Sequence, residues 1–130
     1  DEMNEFSRGL NMDTKGLILA AVNDNESFES KSHHWSLLVT QKSKYGIKHF
    51  HIDSLGNYNE RAAVRTAKVI NALMGITEPI DLKHLRNSPQ QTNGYDCGIY
   101  ATIAAKLVAL MAGSKKQGES LDLISEHSIE

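Results

Sequence analysis

The pattern of apolar and polar residues predicts a short helix and then a buried strand at the start of the chain. Apolar residues spaced three or four apart in residues 1–15 predict a short amphipathic helix. The wholly apolar run 17–22 lies between Gly16 and the turn-forming residues 23–25. Such a run is typical of a strand buried on both faces at the centre of a sheet. Residues 26–33 are polar without a period, which indicates a loop.

Two strand-like runs follow, at residues 34–41 and 48–54, and the polar turn 42–47 between them predicts a hairpin. A turn centred near Ser43 and Lys44 fixes the register. The predicted opposite pairs are Leu38 with His49, Ser36 with His51, and His34 with Asp53. Because opposite residues of an antiparallel pair point to the same face, this register makes His34 and Asp53 neighbours.

The second half of the chain shows mainly helical periodicity. Asn57 and Glu60 have the spacing of a capping box, and a helix with one apolar stripe follows until Gly75. That stripe consists of Ala63, Ala67, Ile70 and Met74. Residues 80–85 suit a further short strand. Residues 97–112 are apolar almost all round, which predicts a core helix enclosed by the rest of the domain.

Beyond Gly113 the sequence is linker-like, and we expect residues 113–130 to form a weakly structured C-terminal segment. Leu121, Leu123 and Ile124 suggest one or two weak helical turns within it.

Composition narrows the function classes. With 130 residues we expect a single domain, and a net charge of -2 offers no basic surface for nucleic acid or an anionic membrane. The longest apolar run is shorter than a helix needs to cross a bilayer, so we expect no membrane partner.

The single cysteine excludes an internal disulfide and a multi-cysteine zinc site, which favours a location in the cytoplasm or nucleus. Because the chain begins with Asp1, we expect an excised or processed piece, and we expect it to be monomeric.

The single cysteine, Cys97, lies where the last helix is predicted to begin. Asp96 is a suitable N-cap residue, and Gly94 permits the preceding turn. The unpaired backbone N–H groups and dipole of a helix start stabilise negative charge, so this position favours a nucleophilic thiolate. The alternative is that Cys97 is a small buried apolar residue, as single cysteines at apolar helices usually are.

A histidine and a carboxylate within reach would complete a catalytic triad. His34 would take the thiol proton, and Asp53 would orient the imidazole. The side-chain amide of Gln91 could join the backbone N–H of Cys97 in binding the oxyanion. Taken singly, His34 is also explained as a strand-edge residue, Asp53 as a turn former and Gln91 as a polar loop residue.

An alternative site is metallic. His49, His51 and Asp53 alternate on one strand, and His34 lies opposite, as in some metal-dependent hydrolases. Such sites draw further ligands from distant loops, and His84 and His127 lie outside any ligand-like cluster. His49 and His51 are more simply explained as the polar side of a half-exposed strand.

Three motifs closely resemble those of the ubiquitin-like-protein-specific, or sentrin-specific, cysteine proteases. They are His34-Trp-Ser-Leu-Leu38, His51-Ile-Asp-Ser54 and Gln91-Thr-Asn-Gly-Tyr-Asp-Cys-Gly-Ile-Tyr100. They occur in the family's order and roughly at its spacing. Residues 20–25, 34–39 and 95–98 look most like the deneddylase branch.

The resemblance implies an α+β, papain-like fold with the nucleophile at the N-terminus of the core helix and the histidine and aspartate on an adjacent antiparallel sheet. It implies cleavage after the terminal Gly-Gly of a ubiquitin-like modifier, without a cofactor. By the family's motif, Cys97 is the nucleophile, His34 the base, Asp53 its orienting group and Gln91 the oxyanion donor. Trp35 and Gly98 would contact the modifier's tail, although Trp35 also suits a core position.

The chain departs from the family at its N-terminus. Family catalytic domains are longer there and supply a second tryptophan and part of the modifier-binding surface, so we expect residues 1–130 to be a catalytic domain without that part. A rival hypothesis is therefore a binding module that keeps the fold and grips the modifier but turns over poorly. A metal-dependent hydrolase is the third hypothesis.

Overall fold

The computed structural model describes residues 2–25 and 34–113. The elements, in chain order, are α1 (Glu2–Leu10), a short 3₁₀ helix (Met12–Thr14), β1 (Leu17–Asn23), β2 (Trp35–Ser43), β3 (Gly46–Ile52), α2 (Glu60–Leu73), β4 (Leu82–His84) and α3 (Cys97–Gly113). The predicted loop at 26–33 and the predicted turns around Leu121, Leu123 and Ile124 lie outside the described residues.

The strands form one sheet in the order β1-β2-β3-β4. β1, β2 and β3 are antiparallel, but β4 runs parallel to β3, so the sheet is mixed rather than wholly antiparallel. The prediction of a central β1 is wrong for the described residues, where β1 pairs only with β2 and lies at an edge. Only Val22 of β1 is buried, because an edge strand is covered less completely than a central one.

The β2–β3 hairpin has a different register from the predicted one. Ser43 lies opposite Gly46, so the turn is Lys44–Tyr45, and Leu38 rather than Ser36 lies opposite His51. Gly46 has φ +116°, a conformation that glycine adopts without strain, and it closes the turn one residue later than predicted. Each residue's partner is thereby shifted by two positions. Because side chains alternate with a period of two, every residue keeps its predicted face.

The sheet lies between two helices. On one face Val22 and Leu38 pack against Ala63, Ala67 and Ile70 of α2. The other face presents Leu37, Val39 and Phe50 to α3, which contributes Val108; these side chains form a second cluster. The resulting mixed α and β architecture positions the ends of β2 and β3 beside the start of α3.

The N-terminus of α2 differs from the predicted capping box. Asn59, not Asn57, occupies the N-cap position, and its side chain makes no capping hydrogen bond. The Asn57 side chain instead accepts a hydrogen bond from the His51 ring at 3.3 Å. The rest of α2 follows the prediction, with its apolar stripe inward and Gly75, at φ +72°, just past its end.

The prediction that α3 is enclosed is wrong for the described structure. Only Cys97 and Val108 of this helix are buried. Five large apolar side chains of α3 are about half exposed: Ile99, Ile103, Leu107, Leu110 and Met111. The sheet packs against Val108 of α3, and all of these five side chains except Leu110 line a cavity beside the helix. None of the described helices is long and apolar enough to cross a membrane.

His49 is fully buried, so its interpretation as part of a half-exposed face is wrong. Its Nδ1 lies 2.7 Å from Thr40 Oγ1, and its Nε2 lies 2.7 Å from Asn71 Oδ1. The ring therefore links the hairpin to α2. Burial lowers the pKa of His49 below its ordinary 6.5, against the raising effects of Asn71 and Asp81.

We expect the protein to lose stability in mild acid because His49 must bind a proton that its buried site disfavours. The stabilisation is present in full above the unfolded-state pKa of 6.5 and is lost as the pH falls below it, through the lowered folded-state value. The measurement is the melting temperature from about pH 8 to about pH 5. His49→Gln should be less stable throughout but show a shallower fall, and an equally steep fall in this variant would contradict the assignment.

Candidate active site

The structure places His34 against Asp53, at the ends of two paired strands. His34 directly precedes β2, and Asp53 directly follows β3. His34 Nε2 lies 2.5 Å from Asp53 Oδ1, and both side chains are almost completely buried. The two residues therefore meet despite the two-residue shift in register, because the shift kept them on one face.

The loop after β3 fixes the Asp53 carboxylate. The backbone N–H of Leu55 donates to Oδ1 at 2.9 Å, and that of Asn59 donates to Oδ2 at 2.8 Å. These oxygens are acceptors, so the neutral form of His34 donates from Nε2 and has its lone pair on Nδ1. Nδ1 is buried and has no hydrogen-bond partner in the described structure. An imidazole held at one nitrogen and bare at the other has the form of a general base.

Cys97 is the first residue of α3 and is buried with a free thiol. The carbonyl of Asp96 accepts hydrogen bonds from the N–H groups of Ile99 and Tyr100, so Asp96 occupies the N-cap position. Asn93 shapes the preceding turn: its Oδ1 accepts the N–H of Asp96 at 2.9 Å, and its Nδ2 donates to Asp96 Oδ2 at 2.7 Å. The predicted helix start at Cys97 is confirmed.

Cys97 and His34 are not joined by a hydrogen bond, since Nδ1 has no partner. The described connection between the two halves of the site runs through Gln91 instead. The Ser54 hydroxyl donates to Gln91 Oε1 at 2.5 Å, and Gln91 Nε2 donates to the Asn93 carbonyl at 2.7 Å. Contacts between catalytic groups in a free enzyme are often long and tighten when substrate binds.

Several polar residues that support the site were not predicted from the sequence. Gln90 donates to the Asp53 carbonyl at 3.0 Å and accepts the N–H of Gly56 at 2.6 Å, so it holds the carboxylate loop. Asn59 donates its amide to the His34 carbonyl at 3.2 Å. Ser54 and Gln90 adjoin predicted site residues, which was an available signal, whereas nothing in the sequence around Asn59 indicated its contacts.

His51 lies beneath the His34–Asp53 pair rather than on a half-exposed face, so that interpretation is wrong for His51 as well. Its Nε2 is 2.8 Å from Ser36 Oγ and 3.9 Å from Asp53 Oδ2. Burial lowers the pKa of His51, an effect that nearby Asp53 partly opposes and nearby His84 adds to. The neutral ring is satisfied by donating to Asn57 and accepting from Ser36.

The alternative metal site lacks the necessary geometry. Both ring nitrogens of His49 and of His51 are already hydrogen-bonded to neutral side chains. Across residues 2–25 and 34–113, no group of three or more His, Cys, Asp or Glu side chains is arranged to hold a metal ion.

A cavity of about 630 Å³ lies between the hairpin and α3, next to the start of that helix. Trp35 and Ile52 line it from the sheet, and Ile99 and Tyr100 line it from α3. Trp35 is 42% exposed, so it is not a core tryptophan. Apart from its chain neighbours and the nearby α3 backbone, no atom of the described residues lies within 4 Å of the point where a Cβ of Gly98 would be.

The chain is similar to a known protein family and to several known proteins. Residues 3–128 match the Ulp1 protease family, C-terminal catalytic domain. NEDD8-specific protease 1 of Arabidopsis thaliana is 30% identical over 123 residues, which cover 92% of this chain and 53% of the relative. Human sentrin-specific protease 8 is 32% identical over 99 residues, covering 76% and 46%. The probable sentrin-specific protease 8 of Dictyostelium discoideum is 31% identical over 113 residues, covering 82% and 46%.

The chain spans about half the length of the curated relatives it matches. The match to the family nevertheless covers nearly all of the 130 residues and contains all three motifs that suggested a cysteine protease. The chain therefore belongs to the Ulp1 protease family, within its C-terminal catalytic domain.

Proposed function

We propose that this chain is the catalytic part of a cysteine peptidase that cleaves after the C-terminal Gly-Gly of a ubiquitin-like modifier. The observation that carries the proposal is the His34 imidazole, which Asp53 holds at Nε2 and which is bare at Nδ1. A buried imidazole in this state is prepared to accept a proton. Cys97, at the start of α3, is the thiol that would supply it.

In the proposed reaction, the Cys97 proton passes to His34 Nδ1, and the sulfur bonds to the carbonyl carbon of the modifier's last glycine. The resulting oxyanion accepts hydrogen bonds from the Cys97 backbone N–H and the Gln91 amide. The C–N bond then breaks, and the leaving amine takes the proton from His34. Water hydrolyses the thioester with His34 as base, and the thiol is regenerated.

Two features support a papain-like site for this chemistry and the neddylation modifier as substrate. The helix that begins at Cys97 packs on the sheet that carries His34 and Asp53, as in the papain-like arrangement. A relative named as NEDD8-specific aligns with 92% of this chain. Trp35 and Gly98, beside the cavity at the start of α3, would contact the modifier's glycine tail. Precursors and conjugates of that modifier are the proposed substrates.

The proposal is tested with modifiers that carry an electrophilic C-terminus. We expect the neddylation modifier probe to add to Cys97, detected as a mass increase located by peptide mapping, and Cys97→Ala to stay unlabelled. Iodoacetamide should block labelling, whereas a chelator should have no effect because no step uses a metal. Faster labelling by a different modifier would overturn the substrate assignment alone.

The rival hypothesis, a binding module, gives a different outcome in the same experiment. Such a module would bind the unmodified neddylation modifier without reacting with its probe. The partly exposed apolar side chains of α3 favour this rival, because four of them line the cavity beside the helix and give it an apolar surface that suits binding even without chemistry. Tight binding without labelling would therefore support the binding module and contradict the peptidase.

A further inference from the structure

Ser54 and Gln91 form a pair that the proposed reaction does not yet use. Ser54 directly follows Asp53 and is 5% exposed, while Gln91 is 8% exposed. The Ser54 hydroxyl donates to Gln91 Oε1 at 2.5 Å, and the Gln91 backbone N–H donates to the Ser54 carbonyl at 2.8 Å. The two residues are thus joined through both backbone and side chain.

The other end of the Gln91 side chain is held as well. Its Nε2 donates to the Asn93 carbonyl at 2.7 Å, and Asn93 in turn bonds the Asp96 carboxylate, one residue before Cys97. A carboxamide has nearly the same shape at its oxygen and nitrogen ends, so its partners decide which end lies where. Here a hydroxyl donor meets the oxygen and a carbonyl acceptor meets the nitrogen. Gln91 Nε2 uses one of its two N–H groups in this bond, and the second has no partner among the described contacts.

We propose that Ser54 is a positioning residue that holds the Gln91 carboxamide with its nitrogen toward the turn before Cys97. The inference rests on the proposed function, in which the second N–H of that nitrogen donates to the oxyanion. Without the hydroxyl, Oε1 would be left buried without a donor, and the carboxamide would be fixed at one end only. A donor displaced by even about 1 Å loses much of its effect on the transition state.

The arrangement also ties the two halves of the site together. Ser54 is bonded through the backbone to Asp53, which orients His34, and through its hydroxyl to Gln91. Ser88 is a useful contrast, because it is also a buried serine of this region but donates at 3.4 Å to the Asp53 carbonyl and at 3.3 Å to the Leu85 carbonyl. Of these two serines, only Ser54 donates a hydrogen bond to Gln91.

The test is steady-state cleavage of a neddylation modifier carrying a C-terminal fluorophore by the whole 130-residue chain. We expect Ser54→Ala to lower kcat roughly tenfold with KM changed less than about twofold, because the interaction acts mainly in the transition state. In a Gln91→Ala background, the same substitution should change kcat by less than about twofold, since the group it positions is gone.

A matched pair of variants separates the hydroxyl from packing. Ser54→Thr and Ser54→Val add nearly the same bulk, but only threonine keeps the donor, so Ser54→Thr should be several times faster than Ser54→Val. Thr40→Val removes a buried hydroxyl that bonds His49, away from the Asp53 loop, and should lower the melting temperature without lowering kcat.

The outcomes distinguish this inference from the proposed function. If Gln91→Ala is slow but Ser54→Ala stays within about threefold of the parent, the inference alone is overturned. The inference is also overturned if Ser54→Ala lowers kcat by the same factor with and without Gln91→Ala. Equally slow cleavage by Ser54→Thr and Ser54→Val would overturn it as well. A parent chain that cleaves nothing overturns the proposed function and this inference together.

Discussion

The Asp53→Asn variant is expected to cleave its substrate a thousandfold to ten-thousandfold more slowly than the parent, because an amide cannot satisfy the donors that surround this side chain. If the amide nitrogen replaces Oδ1, it faces His34 Nε2, and the imidazole must then carry its proton on Nδ1, which removes the base. If it replaces Oδ2, it opposes the backbone N–H of Asn59 that now donates there at 2.8 Å.

Single-turnover cleavage of a neddylation modifier fusion measures this effect. Asp81→Asn is the matched control: it makes the same chemical change at an exposed carboxylate 3.5 Å from Lys83 and should leave cleavage unchanged. Melting curves establish that both variants are folded. A folded Asp53→Asn variant within about tenfold of the parent would show that the carboxylate does not set the tautomer of His34.

The Gln91→Ala variant is expected to lower turnover by roughly a hundredfold to a thousandfold while leaving modifier binding almost unchanged. The physical reason is that the amide would meet a full negative charge only in the transition state. Binding is measured as the Kd of the modifier on a Cys97→Ala background, with and without Gln91→Ala. Cleavage is measured for Gln91→Ala alone in a single turnover.

A purely structural glutamine would behave differently. Its loss would leave the Ser54 hydroxyl and the Asn93 carbonyl without their partner, so stability would fall, and binding and turnover would weaken together. If Gln91→Ala stays within about threefold of the parent in cleavage, the oxyanion donor is another group. The backbone N–H of Cys97 would then need a different partner.

The elements and faces of this protein were predictable because they depend on short-range periodicity. The stripe of α2 follows from side chains three and four residues apart, and the start of α3 follows from a turn and an N-cap residue just before Cys97. The contact between His34 and Asp53 was also predictable, although the register was not. Alternation along a strand fixes the face, and an error of two residues leaves the face unchanged.

Burial of the histidines required the tertiary structure. An alternating strand with His49 and His51 on one face has the sequence of a half-exposed strand. In the folded protein, Asn71 on α2 and the loop residue Asn57 cover that face with polar partners. Asn71 is 22 residues from His49 and is brought there by the packing of α2. Asn57 is six residues from His51 and reaches its ring through the fold of the loop after β3, so neither contact follows from the periodicity of the strand.

The sequence by itself determined which residues carry the proposed chemistry, because Cys97, His34, Asp53 and Gln91 lie in motifs whose local structure positions each one. Only the tertiary structure decided how they are held: the shifted hairpin register, the Gln90 and Ser54 hydrogen bonds, and the extent to which α3 is covered. The physical reason is the distance along the chain over which each effect acts. Periodicity and capping act within a few residues, whereas the partner of a buried hydroxyl and the covering of an apolar helix depend on segments that meet only when the chain has folded.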